Sequence, residues 1–194
     1  DSVHARAQSL AAGTPGATAV SNWQGIVDRQ DIDIVIVSAT NNALAEITLA
    51  AVNAGKHVLV EKPAARRSSE LGVVIASAKE KGVVVRVGFN HRYHPALLKA
   101  KMIVDAGGLG DLMFLRGRYG HGGRIGYDKE WRANPDISGG GELLDQGVHL
   151  IDLSRWFLGE FPRIEGFATT YFWDMPVDDN GFMLLRTARN KVAF

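Results

Sequence analysis

The chain has 194 residues and is 46% hydrophobic, enough to bury a core and to build one large domain or two small ones. Its 22 lysines and arginines nearly cancel its 21 aspartates and glutamates, so no strong field points to nucleic acid or a membrane surface, and a small polar ligand fits better. The absence of cysteine excludes a disulfide framework, a thiolate zinc site and a cysteine nucleophile.

Val3 to Ala12 carries a helical pattern that stops at the breaker cluster Gly13-Thr14-Pro15-Gly16, and Ala17 to Val20 is predicted as a short strand. Trp23, Ile26 and Val27 mark a short amphipathic helix. Ile32 to Val37 is an apolar, β-branched run, the signature of a parallel strand covered on both faces. A helix over 42–53 ending at Gly55, a strand over 57–60, a helix over 68–81 ending at Gly82 and a strand over 83–87 follow. This alternation predicts a doubly wound parallel sheet. Beyond Phe89 the rhythm changes: a helix over 95–105, an alternating strand over 111–119, a glycine-rich loop over 120–126, and a helix from about Gly140 to before Gly159. Strands near 164–172 and 181–186 have no helix between them, which predicts a mostly antiparallel sheet. The expected organisation is α/β: a partial Rossmann domain over 1–90, then an incomplete α+β domain over 91–194. No apolar run reaches the ~18 residues of a membrane span and no secretion signal opens the chain, so the expected location is the cytoplasm. Both ends read as cut, at Asp1 and at the strand-like Lys191 to Phe194.

Ligands of open parallel sheets bind beyond the carboxyl ends of the strands. Three polar clusters fall there: Ser38 to Asn42, Glu61-Lys62-Pro63, and Gly88 to Arg92. Each alone reads as turn chemistry; their recurrence at three successive strand ends favours a crevice. Pro63 locks the backbone just after Lys62 and could fix the direction in which that lysine enters a cleft. Arg92 could clasp a carboxylate or phosphate, or pair with a nearby acid. Asp145 and His149, four apart on the predicted helix, share a face, either as an ordinary exposed pair or as an acid–imidazole couple able to take a hydroxyl proton. The 120–126 loop lacks the residues of a phosphate loop and reads as substrate-side; His121, Tyr127, Trp131 and Arg132 in or beyond it could contact a sugar ring. The histidines show no metal-ligand spacing, and no metal is predicted.

In order, a Val-Ile-Val strand ending in Ser-Ala-Thr-Asn-Asn, then Ala-Gly-Lys-His-Val-Leu-Val-Glu-Lys-Pro, Val-Gly-Phe-Asn-His-Arg-Tyr-His-Pro-Ala and Gly-Gly-Gly-Glu-Leu-Leu-Asp-Gln-Gly-Val-His-Leu-Ile-Asp-Leu resemble the glucose-fructose oxidoreductase / inositol dehydrogenase / rhizopine catabolism (Gfo/Idh/MocA) family. The resemblance implies an NAD- or NADP-dependent oxidoreductase acting on a sugar, polyol or sugar-nucleotide hydroxyl, with Lys62 at the substrate hydroxyl and nicotinamide, Asp145 orienting substrate and His149 as general base. It implies a cis bond into Pro63 and a cofactor crevice lined by Asp1, Ser38, Thr40, Asn41, Asn42, Glu61, Lys62, Pro63 and Asn90, with Arg92 on the substrate side. It also implies a homo-oligomer for the whole protein, while the balanced charge and the lack of a long apolar run are what point away from a nucleic-acid or membrane partner. The sequence departs from the family in lacking a first βαβ unit of about 30 residues with its Gly-x-Gly-x-x-Gly turn. The expectation is therefore weak or no NAD(H) binding by these 194 residues. A non-catalytic sugar-binding or regulatory homologue, or an inactive fragment, is the alternative.

Overall fold

The apolar run after Asp31 becomes strand β1, Ile34–Val37, and pairs in parallel with β2, His57–Val60, which pairs with β3, Val85–Val87. Residues 1–194 are all described by the computed structural model. Helix α3, Asn41–Asn53, crosses from β1 to β2, and α4, Ser68–Lys81, from β2 to β3. With strand order β1-β2-β3, two right-handed crossovers in one direction put both helices on the same face. Val35, Val37, Val58 and Val60 alternate inward and meet Leu44, Ala51 and Val52 of α3, forming the core with Val27 and Ala64. The outward residues Ile34 and Ile36 are 63% and 69% exposed, so the expected cover on both faces is not realised. Gly82 closes α4 with a left-handed φ of 67°, which glycine adopts without steric cost.

Ahead of this sheet lie α1, His4–Ala12, and α2, Gln24–Val27. The strand expected over 17–20 does not form. No strand runs beside it; its contact is the amino group of Asp1, 3.4 Å from the Val20 carbonyl. An extended segment without a ladder partner has nothing to hold it as a strand.

The second sheet has the order β4-β7-β6-β5, with β4 Phe114–Leu115, β5 Arg163–Thr169, β6 Asn180–Arg186 and β7 Val192–Ala193. The β5–β6 and β6–β7 pairs are antiparallel and β4–β7 is parallel, which gives the expected mostly antiparallel sheet. Of the long strand expected over 111–119, Phe114–Leu115 forms as a strand, paired with Val192–Ala193. Between the sheets lie α5, Pro95–Asp105, α6, Pro135–Ser138, and α7, Val148–Leu158, along with three 3-10 turns, Asn90–Tyr93, Tyr127–Lys129 and Trp131–Ala133. No helix is long and apolar enough to cross a membrane.

The helix expected from Gly140 instead begins with a π-helical turn, Leu143–Gly147, which runs on into α7. The buried residues of α7 are polar: His149 and Asp152 face the first sheet's loops, while Leu144, Val148, Ile151 and Trp156 are half-buried. The two sheets are tied together by side chains. Asn41 Nδ2 donates to the Ser138 carbonyl at 2.8 Å and Arg66 Nη1 to the Asp136 carbonyl at 2.6 Å.

Candidate active site

Lys62 leaves the end of β2 through a cis bond into Pro63 and reaches across to the π turn. Its Nζ donates to the Asp145 carboxylate at 2.5 Å and to the Asp145 carbonyl at 2.6 Å. The side chains of Lys62 and Asp145 are 17% and 11% exposed, so each depends on the other for its buried charge. Arg132 Nε, at 3.3 Å, and Gln146 Nε2, at 3.2 Å, complete the shell of Asp145. Burial opposes ionisation of Asp145, but the hydrogen bond and charge of Lys62, followed by Arg132, outweigh it and hold the carboxyl below its usual range.

His149 sits one turn further on, and no hydrogen bond joins it to Asp145, whose oxygens are taken by the cations and Gln146. The expected couple, in which the carboxylate steadies the protonated ring, is not what the geometry provides. Instead the ring lies flat on His91, centroids 4.0 Å apart and planes 21° apart, with Phe89 and Tyr119 edge-on at 6.1 Å each. Burial first, then His91, then Lys62, push the His149 pKa down to about 4 against the opposing pull of Asp145 and Asp152. At neutral pH the ring is neutral and can accept a proton. Its Nδ1 is buried without a partner, while Nε2 is not sealed off.

The other candidate residues divide between the crevice and the protein's own bonding. Ser38, Asn42, Glu61 and Asn90 stand exposed at the strand ends, with Thr40 Oγ1 bonded to Asn42 Oδ1 at 2.7 Å. Asn41 does not join them, because its buried amide is used on the Ser138 carbonyl. Asp1 is exposed and accepts the backbone N–H of Val3 at 2.8 Å. Arg92 takes the second of its two readings and pairs with Asp152 rather than facing a ligand. Tyr127 is buried against Trp173 and its hydroxyl donates to Glu142; burial and that carboxylate raise its pKa, so it presents no free hydroxyl to a substrate. His121 is exposed, its Nδ1 accepting the Gly123 N–H, and Arg132 lies over the Trp131 ring at 4.6 Å. Three residues that sequence reasoning passed over matter here: Asp152, Tyr119 and Asp178. Asp152 could have been suspected from its place three residues after His149, on the same helix face.

The hydroxyls of Ser38 and Thr40, the amide of Asn42 and the carboxylate of Glu61, at the ends of β1 and β2 and the first turn of α3, are a donor and acceptor set suited to a ribose and a carboxamide. The arrangement fits the nicotinamide end of a dinucleotide.

Asp178 positions the π turn. Its carboxylate accepts the N–H of Gly141 at 3.0 Å and of Leu143 at 2.8 Å, while its carbonyl accepts the Glu142 N–H at 2.8 Å. A Cβ on Gly141 would run into the Asp178 backbone. Gly141→Ala is therefore expected to destabilise the fold by about 3 kcal/mol, read as a lowered urea midpoint, through forced separation and lost charged hydrogen bonds. An unchanged midpoint would show that the turn does not need this close approach.

A cavity of about 640 Å³ lies along the same helical segment, between residues 118–122 and the start of β6 at Asn180 and Gly181. Its lining includes His121, Glu142 and Gln146 but neither Lys62 nor His149.

Residues 1–89 match the oxidoreductase family described as NAD-binding Rossmann fold, and residues 97–194 match the GFO/IDH/MocA C-terminal domain. Levoglucosan dehydrogenase of Pseudarthrobacter phenanthrenivorans is 34% identical over 171 residues, covering 87% of this chain and 44% of that protein. Inositol 2-dehydrogenase 2 of Saccharopolyspora erythraea is 33% identical, covering 96% of this chain and 54% of that protein. Among solved structures, levoglucosan dehydrogenase in complex with NADH superposes with a TM-score of 0.92 at 31% identity, covering 100% of this chain and 54% of the other. The chain thus spans about half the length of the relatives it matches. With both of its halves matched in order, the chain belongs to the Gfo/Idh/MocA family of oxidoreductases.

Proposed function

We propose that the whole protein transfers a hydride between a hydroxyl-bearing carbon of a sugar, polyol or sugar nucleotide and NAD or NADP, with residues 1–90 serving the cofactor and 91–194 the substrate. The observation that carries this reading is the meeting of Lys62, from the end of a parallel strand, with Asp145 and, one turn beyond it, His149 on the helix of the other half. Bound nicotinamide supplies the hydride acceptor. Lys62 holds the substrate oxygen and stabilises negative charge as it develops, Asp145 fixes the lysine, and the neutral His149 accepts the hydroxyl proton at Nε2. Ser38, Thr40, Asn42, Glu61 and Asn90 would line the cofactor crevice, Asp1 would face the adenosine ribose, and His121, Trp131 and Arg132 would border the substrate. The relatives named for levoglucosan and inositol support a cyclic polyhydroxy substrate. A homo-oligomer in the cytoplasm is part of the same reading.

The test is reduction of NAD and of NADP by the whole protein over a panel of sugars, anhydrosugars and cyclitols, followed by reduced-nicotinamide absorbance. Turnover with at least one panel member is expected, and none with any would overturn the assignment. The 194 residues by themselves contain no Gly-x-Gly-x-x-Gly turn to cradle a pyrophosphate. A fluorescence titration of this chain with NADH should therefore show weak binding or none, and saturation at micromolar concentration would contradict it.

A further inference from the structure

Arg92 and Asp152 stand 60 residues apart, yet form a two-pronged ion pair whose carboxylate is buried. Arg92 Nε donates to one Asp152 oxygen at 2.7 Å and Nη2 to the other at 2.6 Å, a two-pronged arrangement that fixes direction as well as distance. The Asp152 side chain is 9% exposed, and the guanidinium lies 5.7 Å from the centre of the Trp156 ring, so the pair is backed by the next turn of α7. His91 and Arg92 are consecutive on the 3-10 turn Asn90–Tyr93; His149 and Asp152 are one turn apart on α7. The turn therefore grips the helix at two points, ring on ring and fork on carboxylate.

We propose that Arg92 and Asp152 are positioning residues: their pair seats the 90–93 turn on α7 so that His91 stays flat against His149 and holds that ring in one orientation, shielded from water. The inference rests on the reading of His149 as the proton acceptor. Lys62 and Asp145 face the ring from the crevice, His91 and Tyr119 from beside it, and Asp152 from the next turn. Imidazoles stacked in parallel planes present faces rather than ring nitrogens to each other, so His91 acts by packing, not by passing a proton.

The experiment is an NMR pH titration of the His149 ring in the full chain, which needs neither cofactor nor turnover. Asp152→Asn separates two effects of opposite sign. Losing a nearby negative charge would by itself lower the midpoint of His149, whereas freeing the turn and admitting water would raise it. We expect a rise of about one pH unit in Asp152→Asn, and no rise when the same change is made on a His91→Ala background, since the route through the stack is then gone. Arg92→Lys keeps the charge beside Asp152 and loses the fork; it should raise the midpoint by a smaller amount and carries the test if Asp152→Asn does not fold. A lowered or unchanged midpoint in the folded variant, or a rise that persists without His91, would overturn the proposal. Loss of the dehydrogenase reading would show instead as His149→Ala leaving turnover intact, with these titrations unaffected.

Discussion

Replacing His149 by alanine in the whole protein is expected to lower turnover by about 10²- to 10⁴-fold, the range a positioned general base supplies, while the affinity for NADH changes little. The split follows from location. His149 lies on α7 with its ring against His91, Phe89 and Tyr119, while the exposed polar groups suited to a dinucleotide stand at the ends of β1, β2 and β3. A cofactor held by the strand ends does not need the imidazole, but a hydroxyl giving up its proton does. The pH profile adds a second reading of the same group. His149 has its pKa depressed to about 4 by burial, with His91 and Lys62 adding to the effect. A base must be unprotonated to act, so kcat/KM for alcohol oxidation should be retained as pH falls through the ordinary histidine range and be lost only near 4. Stability follows the same sign: unfolded chain takes up the proton first, so the contribution of the neutral ring is complete above the ordinary histidine value and declines below it. Steady-state kinetics across pH with wild type and variant checks both statements. Turnover in His149→Ala within about threefold of wild type would remove this residue from the reaction.

What the sequence disclosed and what it hid have physical causes. The strands at 34–37 and 57–60 were legible because each is a short apolar, β-branched run, although the cover on both faces that such a run suggests is absent, and α4 because Gly82 takes the left-handed stop that ends it. Lys62 stood out because proline follows it. The π turn was not legible: it is distinguished by i→i+5 backbone bonding in place of i→i+4, and five residues are too few for an apolar period to separate the two. The pairing of Arg92 with Asp152 and of Asn41 with Ser138 is set by how the two sheets dock, and nothing local in either segment encodes it. Exposure of Ile34 and Ile36 likewise depends on which elements lie over them rather than on the run itself. The uneven outcome at the site has the same origin: residues fixed by their own strand ends stayed at the crevice, whereas residues whose neighbours come from distant segments were taken up by the protein.

Lys62→Met should be the most damaging single change to the site, acting on stability and on chemistry together. In the native protein the ammonium sits between the carboxylate and the carbonyl of Asp145, both within 2.6 Å. Methionine fills much the same space and returns none of that interaction. Arg132 remains 3.3 Å from the other carboxylate oxygen but is itself 34% exposed, so it compensates only in part. Removing one partner of a buried pair costs about 3 kcal/mol near neutral pH, measurable as a lowered urea midpoint. The pH dependence gives the sign. With Lys62 present the carboxyl of Asp145 is held below its usual value, so the pair contributes above the ordinary carboxylate range and the contribution is lost as pH falls through the depressed value. With Lys62 gone, burial is the largest influence left, the carboxyl shifts upward, and the penalty relative to wild type should fade on acidification as Asp145 takes a proton. Adding Asp145→Asn to Lys62→Met removes the stranded charge and should recover a good part of the lost stability, because a buried ion pair and a neutral pair of similar shape differ little in net free energy. It should not recover turnover, since the cation meant for the substrate oxygen is still missing. Recovery of both together would mean that Lys62 serves only to neutralise Asp145, and equal stability of Lys62→Met and wild type across the whole pH range would mean that the Lys62–Asp145 pair contributes nothing to holding the two halves together.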